Sequence, residues 1–138
     1  MDGLNIFQSP HFTVAHGASP TVPGYLIVTT RGGEKSLSAM KPEAQTELGV
    51  VLAKATRLIE ETVRPERVYC ARFGEEVETI HFHLFPRTRE MMDAYRKTGG
   101  PVSAPLVFEW CRKNLGVDAD SPAVRDVIER MRRLARES

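Results

Sequence analysis

Residues 79–87, Thr-Ile-His-Phe-His-Leu-Phe-Pro-Arg, change character at every second position. A two-residue repeat is that of a half-buried β-strand. On such a strand Ile80, Phe82 and Leu84 point to one face, and Thr79, His81, His83 and Phe85 to the other. Two of the four histidines in the chain therefore project side by side, about 7 Å apart along the strand. The opposite apolar face anchors the element, which makes it a rigid platform for chemistry.

The rest of the chain suits a soluble globular domain. Its 138 residues predict one domain over 1–138, long enough to bury a core without staples. Hydrophobic residues make up 41% and charged residues 27%, and a net charge of +1 calls for neither nucleic acid nor an anionic membrane. The arginines near the C-terminus (Arg125, Arg130, Arg132, Arg133, Arg136) are diluted by Asp126, Glu129 and Glu137, as on a solvated helix face. Cys70 and Cys111 lie in apolar patterns and form no metal-spaced pair, which predicts buried free thiols in a reducing compartment. The segment Met1-Asp2-Gly3-Leu4-Asn5 lacks a basic and an apolar signal region, and no apolar run reaches membrane-spanning length. A cytoplasmic location is expected.

Strands are expected at His11–His16 and Tyr25–Thr30, separated by a Pro- and Gly-rich loop and paired antiparallel. From Pro42 to Arg64, Leu48, Val51, Leu52, Ala55, Leu58 and Ile59 recur at helical steps, with Glu43 and Glu47 near the start. Arg67–Phe73 reads as a strand forming a hairpin with the histidine strand, and Gly32-Gly33 as a turn. Three helices should follow. The first spans Thr88–Lys97, with Met91, Met92 and Tyr95 on one side. The second spans Pro105–Leu115, with Leu106, Trp110 and Cys111 inward and Gly116 as C-cap. The third starts at Ser121-Pro122 and buries Val124, Val127, Ile128, Met131 and Leu134. Met91, Met92 and Trp110 read as core or dimer contacts. This order implies an α+β domain on an antiparallel sheet, with a core of about 11–90 and a helical extension of about 91–138.

Two histidines on one strand face admit three readings. They can be side chains without a role. They can be metal ligands, which would need a third and fourth donor from His11, His16 or the glutamates near Glu75. Or one can be a nucleophile, its second ring nitrogen held by an acceptor.

His81-Phe-His-Leu-Phe-Pro-Arg87 resembles the histidine triad (HIT) signature, His-φ-His-φ-His-φ-φ with φ apolar, often followed by Pro-Arg. Upstream, Val22-Pro-Gly-Tyr-Leu-Ile-Val28 resembles the family's Pro-Gly-His strand, Leu37 to Leu58 its helix, and Phe73-Gly-Glu-Glu-Val77 its approach to the triad. The resemblance covers about His11 to Arg87. It implies a HIT-like fold, an antiparallel meander with one long helix packed on it, and a homodimer. It also implies a nucleotide hydrolase or transferase in which the middle histidine, here His81, attacks the α-phosphorus and forms a nucleotidyl-histidine. His83 would bind or polarise the phosphate. No cofactor and no metal are implied.

Four positions depart from the pattern. Thr79 replaces the first histidine, and a hydroxyl can hydrogen-bond a phosphate but cannot carry positive charge. Tyr25 replaces the histidine after Pro-Gly. Gly17 stands where a ribose-gripping carboxylate is usual. Glu75 replaces a glutamine and would repel a polyphosphate unless paired with Arg72 or Arg87. The resemblance thus implies His81 and His83 as catalytic residues, with Thr79, Tyr25, Glu75, Arg87 and His16 around the substrate. Arg87 reads equally as a structural ion pair, and His16 as an incidental strand-end histidine. The expected ligand is a small nucleotide or other phosphate compound, such as a nucleoside phosphoramidate or dinucleoside polyphosphate. The alternatives are a ligand-binding protein without turnover and a metal-dependent site on His81 and His83.

Overall fold

The computed structural model describes residues 3–138; Met1 and Asp2, part of the expected domain and of the start segment read above, lie outside the described residues. Five strands form one antiparallel sheet in the order β1-β2-β3-β5-β4. They are β1 (Asn5–Gln8), β2 (Phe12–His16), β3 (Leu26–Thr30), β4 (Arg67–Ala71) and β5 (His81–Arg87). Strands β1 to β3 follow one another as a meander. Helix α1 (Pro42–Val63) then carries the chain to the far edge, so that β5 returns between β3 and β4. Strand β1 escaped the sequence reading because it is four residues long and buries only Ile6.

Helix α1 starts at Pro42, whose missing N–H costs nothing in the first turn. It ends where Arg64 takes a left-handed conformation (φ 54°, ψ 55°), since Pro65 disfavours a helical residue before it. Val51, Ala55, Leu58 and Ile59 are buried, and Leu48 and Leu52 pack on the same cluster, as the helical spacing predicts. Full burial of a side chain such as Leu58 contributes about 1.5–3 kcal/mol. Their partners on the sheet include Phe12, Val14, Leu26, Val28, Ile80 and Leu84. Helix α4 (Pro122–Glu137) joins this layer through Val124, Val127, Ile128 and Met131, with Ser121 capping its N-terminus.

The other face of the sheet meets α2 (Arg89–Arg96) and α3 (Ala104–Asn114). Tyr25 and Phe85 are buried there with Met91, Met92, Tyr95, Val107 and Cys111. Three expectations need correcting. Val107 and Cys111, four residues apart, form the inward line of α3; Leu106, about 100° away around the helix, is 46% exposed. Cys70 is exposed, because β4 is the edge of the sheet; only Cys111 is a buried thiol. Strand β5 begins at His81, with Thr79 in a bend before it. No described helix is long and apolar enough to cross a membrane.

Glu47 does more than favour the start of α1. Its carboxylate accepts the backbone N–H of His11 at 2.8 Å and the Ser9 hydroxyl, and meets His11 Nδ1 at 2.8 Å. Burial would raise this carboxyl, but the hydrogen bonds from Ser9 and His11 hold it below the usual glutamate value. The β1–β2 turn is thereby fastened to α1. Glu47→Ala should cost about 1–3 kcal/mol in urea denaturation. The stability Glu47 supplies is complete above its unfolded pKa of about 4.3 and is lost as the pH falls through its lower folded value. An unchanged midpoint at pH 7 would contradict this role.

Candidate active site

Strand β5 pairs with β3 from His81 to Leu84 and with β4 from His83 to Arg87. Only His83 and Leu84 are held on both sides. At His81 the β4 side is open, because residues 72–80 swing away from the sheet. Pro86 fits this asymmetry, since β3 has ended beside it and its missing N–H breaks no bond there.

The space left by the diverging chain is a cavity of about 690 Å³. His81 and His83 line it together with the 73–77 segment, Pro20, and Pro105, Phe108, Glu109, Arg112 and Lys113 of α3 and its continuation from the first turn to the last. A smaller apolar slot of about 270 Å³ adjoins it between β4 and α3, sharing Phe73, His83, Pro105 and Phe108. Phe73 is half exposed and lies nearly parallel to Phe108, with ring centroids 6.3 Å apart.

The two imidazoles lean together, with centroids 5.0 Å apart and planes at 72°. Nδ1 of His81 lies 2.9 Å from the Thr79 carbonyl oxygen. A carbonyl only accepts, so Nδ1 carries the proton and Nε2 keeps a lone pair. His83 is arranged the other way. Its Nδ1 is 2.5 Å from the Tyr25 hydroxyl. Burial pushes Tyr25 up to about 12, against the pull of Arg112. Burial, then the neighbouring His81 and Arg112, push His83 down to about 4. Both groups are thus neutral at pH 7. Tyr25 has no other acceptor among the described residues, so its O–H donates to Nδ1 and His83 presents an Nε2–H. One ring offers a lone pair and its neighbour a donor.

The remaining expected residues fall into two groups. Glu75 lines the cavity, but neither arginine pairs with it. Arg72 donates to the Lys35 carbonyl at 2.9 Å, and Arg87 is bonded to Glu66 at 3.2 Å at the other end of β5. Arg87 is therefore a strand-end ion pair away from the cavity. Thr79 gives the site its backbone carbonyl and does not line the cavity. Tyr25 is 1% exposed and acts through His83. His16 is buried: its Nδ1 donates to the Gly17 carbonyl at 3.0 Å and its Nε2 accepts the Gly24 N–H at 2.9 Å. Both nitrogens are spent on the loop before β3. His11 is bound to Glu47. Among the described residues no three His, Cys, Asp or Glu side chains converge, so the extra donors that a metal site on His81 and His83 requires are not gathered there.

Two of the four departures are one feature. A Cβ on Gly17 would lie 2.7 Å from the Tyr25 ring, so the bulky residue at 25 demands the absent side chain at 17. The residues missed from sequence are Phe108, Glu109, Arg112 and Lys113. Their helical spacing was legible, but nothing local says that α3 lies beside the histidines.

The fold and site define a small α+β protein whose sheet presents two imidazoles, of opposite hydrogen-bonding sense, to one cavity. The HIT domain model matches residues 2–90, more than half of the chain, and the chain belongs to the histidine triad (HIT) family. No curated protein sequence matches it significantly. It is similar in structure to a histidine triad protein from Bradyrhizobium japonicum, at 18% identity and a TM-score of 0.69, over 94% of this chain and 88% of that one. A zinc-bound histidine triad family protein from Mycobacterium smegmatis is 15% identical, with a TM-score of 0.66, over 99% and 86%. A hypothetical histidine triad nucleotide-binding protein from Sulfolobus tokodaii is 14% identical, with a TM-score of 0.58, over 96% and 88%. These likenesses establish the fold, and they run on past residue 90 into the C-terminal helices.

Gly17→Ala should cost about 1–3 kcal/mol by overpacking against Tyr25. In a Tyr25→Ala background the same change should cost far less; equal costs in urea denaturation would disprove the coupling. Stability should also fall with acid. Burial holds His16 below the ordinary imidazole value and His83 at about 4. The unfolded chain therefore takes up protons first, and stability declines from about pH 6.5 downward. A urea midpoint that stays flat from pH 7.5 to 4.5 would contradict the buried neutral histidines.

Proposed function

We propose that the protein is a nucleotide hydrolase or nucleotidyl transferase that works through a covalent intermediate on His81. The observation that carries this is the His81 ring, held at Nδ1 by the Thr79 carbonyl with Nε2 free, at the wall of a cavity of nucleotide size. The Nε2 lone pair attacks the α-phosphorus, an N–P bond forms, and the bond from phosphorus to the leaving group breaks. The leaving group takes its proton from water. A second nucleophile, water or an acceptor hydroxyl, then breaks the N–P bond, releases the nucleotide and returns His81 to its neutral state. The His83 Nε2–H can donate to the oxygens that gain charge in both steps. The adjoining slot lined by Phe73, Phe85 and Phe108 suits a planar base.

Nucleoside phosphoramidates and dinucleoside polyphosphates are the substrate classes this reading favours, in a cytoplasmic homodimer without cofactor. A second reading, a nucleotide-binding protein without turnover, draws on the same site. Thr79 supplies no imidazole, and Tyr25 spends one nitrogen of His83 on a buried hydrogen bond.

Incubation with adenosine phosphoramidates and diadenosine polyphosphates should release AMP. His81→Ala should lower the rate by at least about a thousandfold, as loss of a nucleophile does. Mass spectrometry of quenched wild-type protein should find one added adenylyl group on His81. Binding of AMP without turnover would favour the second reading. Equal background turnover by both proteins would overturn the first.

A further inference from the structure

The family match ends at residue 90, yet one wall of the cavity is α3. This helix is firmly attached. Thr21 and Val117 exchange two backbone hydrogen bonds, at 2.9 and 2.7 Å, between the loop before β3 and the chain just after α3. Ser19 bonds Asp118 and the Ala119 N–H nearby. Gly116 permits the contact, because a Cβ there would lie 2.2 Å from the Arg112 carbonyl and 3.0 Å from Pro20.

The charges around the cavity pose a problem for a phosphate ligand. Three carboxylates, Glu75, Glu76 and Glu109, line it, while burial keeps His83 neutral. The permanent cations that line it are Arg112 and Lys113. Other nearby arginines are committed elsewhere: Arg72 to the Lys35 carbonyl and Arg87 to Glu66. Arg112 is pinned without being used up. Its Nε donates to the Pro20 carbonyl at 3.0 Å, and its guanidinium lies 5.4 Å from the centre of the Tyr25 ring. Among the described residues no carboxylate pairs with it, so both Nη groups remain as donors in a fork that matches phosphate oxygens. Lys113 is exposed, a flexible point charge at the rim.

We infer that Arg112, carried by a helix outside the matched domain, is the phosphate-holding cation of this site, and that it restores the positive charge missing at Thr79. The inference rests on the proposed nucleotide reading and adds the source of its charge. The guanidinium grips non-bridging oxygens of a nucleotide phosphate beside His81, while Pro20 and Tyr25 fix its plane.

The test is calorimetric titration of the full chain and its Arg112→Gln, Arg112→Lys and Lys113→Gln variants with AMP, adenosine and inorganic pyrophosphate. Thermal melts would show that each variant is folded. Wild type should prefer AMP to adenosine. Arg112→Gln should lose tenfold to a hundredfold in AMP affinity while its adenosine affinity stays the same, a pattern that mere loss of packing would not produce. Arg112→Lys should recover part of the preference, and Lys113→Gln should lose less than threefold. An unchanged AMP-to-adenosine ratio in Arg112→Gln would overturn the inference and leave the proposed function standing. Arg112-dependent binding of pyrophosphate with no binding of AMP would support Arg112 as the anion receptor and overturn the nucleotide reading. Failure of wild type to bind either phosphate compound at millimolar concentration would overturn both.

Discussion

Strand β5 is gripped from both sides only at His83 and Leu84, and the site depends on that limit. Had β4 continued alongside His81, the sheet would have closed over the cavity. The chain instead leaves β4 after Ala71 and returns through a bend at Thr79, which puts the Thr79 carbonyl within reach of the His81 ring. The same geometry opens the cavity and selects the tautomer. Leu84, fully buried against the α1 layer, anchors the strand from behind.

Tyr25 changes the chemistry next door. A histidine in its place could exchange protons with His83; a phenol pushed up to about 12 gives a hydrogen bond and keeps its proton. His83 is left as a neutral donor. The Tyr25 ring also fills the space that a side chain at residue 17 would need, so Gly17 and the phenol at 25 are linked by packing. Charge at this site therefore has to come from outside the triad strand, and α3 is the element that brings it.

Much of the fold was legible in the sequence because its signals are local and repetitive. The alternation in β5, the apolar face of α1, and the cap at Ser121 each follow from side chains a few residues apart. Strand β1 carries too short a signal, and the inward line of α3 was misplaced by one residue because Leu106 and Val107 are equally apolar. The site was half legible. His81 and His83 stand out by spacing, but the duties of His16, Glu47 and Arg87 depend on partners 8 to 38 residues away. Arg112 sits among ordinary charged residues of a helix, and only the docking of α3 on Pro20 and Val22 gives it a place beside the histidines.

Neighbouring imidazoles hold opposite tautomers, a lone pair at Nε2 of His81 beside a proton at Nε2 of His83. Long-range proton–nitrogen correlation NMR of uniformly ¹⁵N-labelled protein near pH 7, with His81→Gln and His83→Gln for assignment, reads this directly. The expected result is a protonated Nδ1 in His81 and a protonated Nε2 in His83. A protonated Nε2 with a bare Nδ1 in His81, or one shared tautomer in both rings, would contradict it.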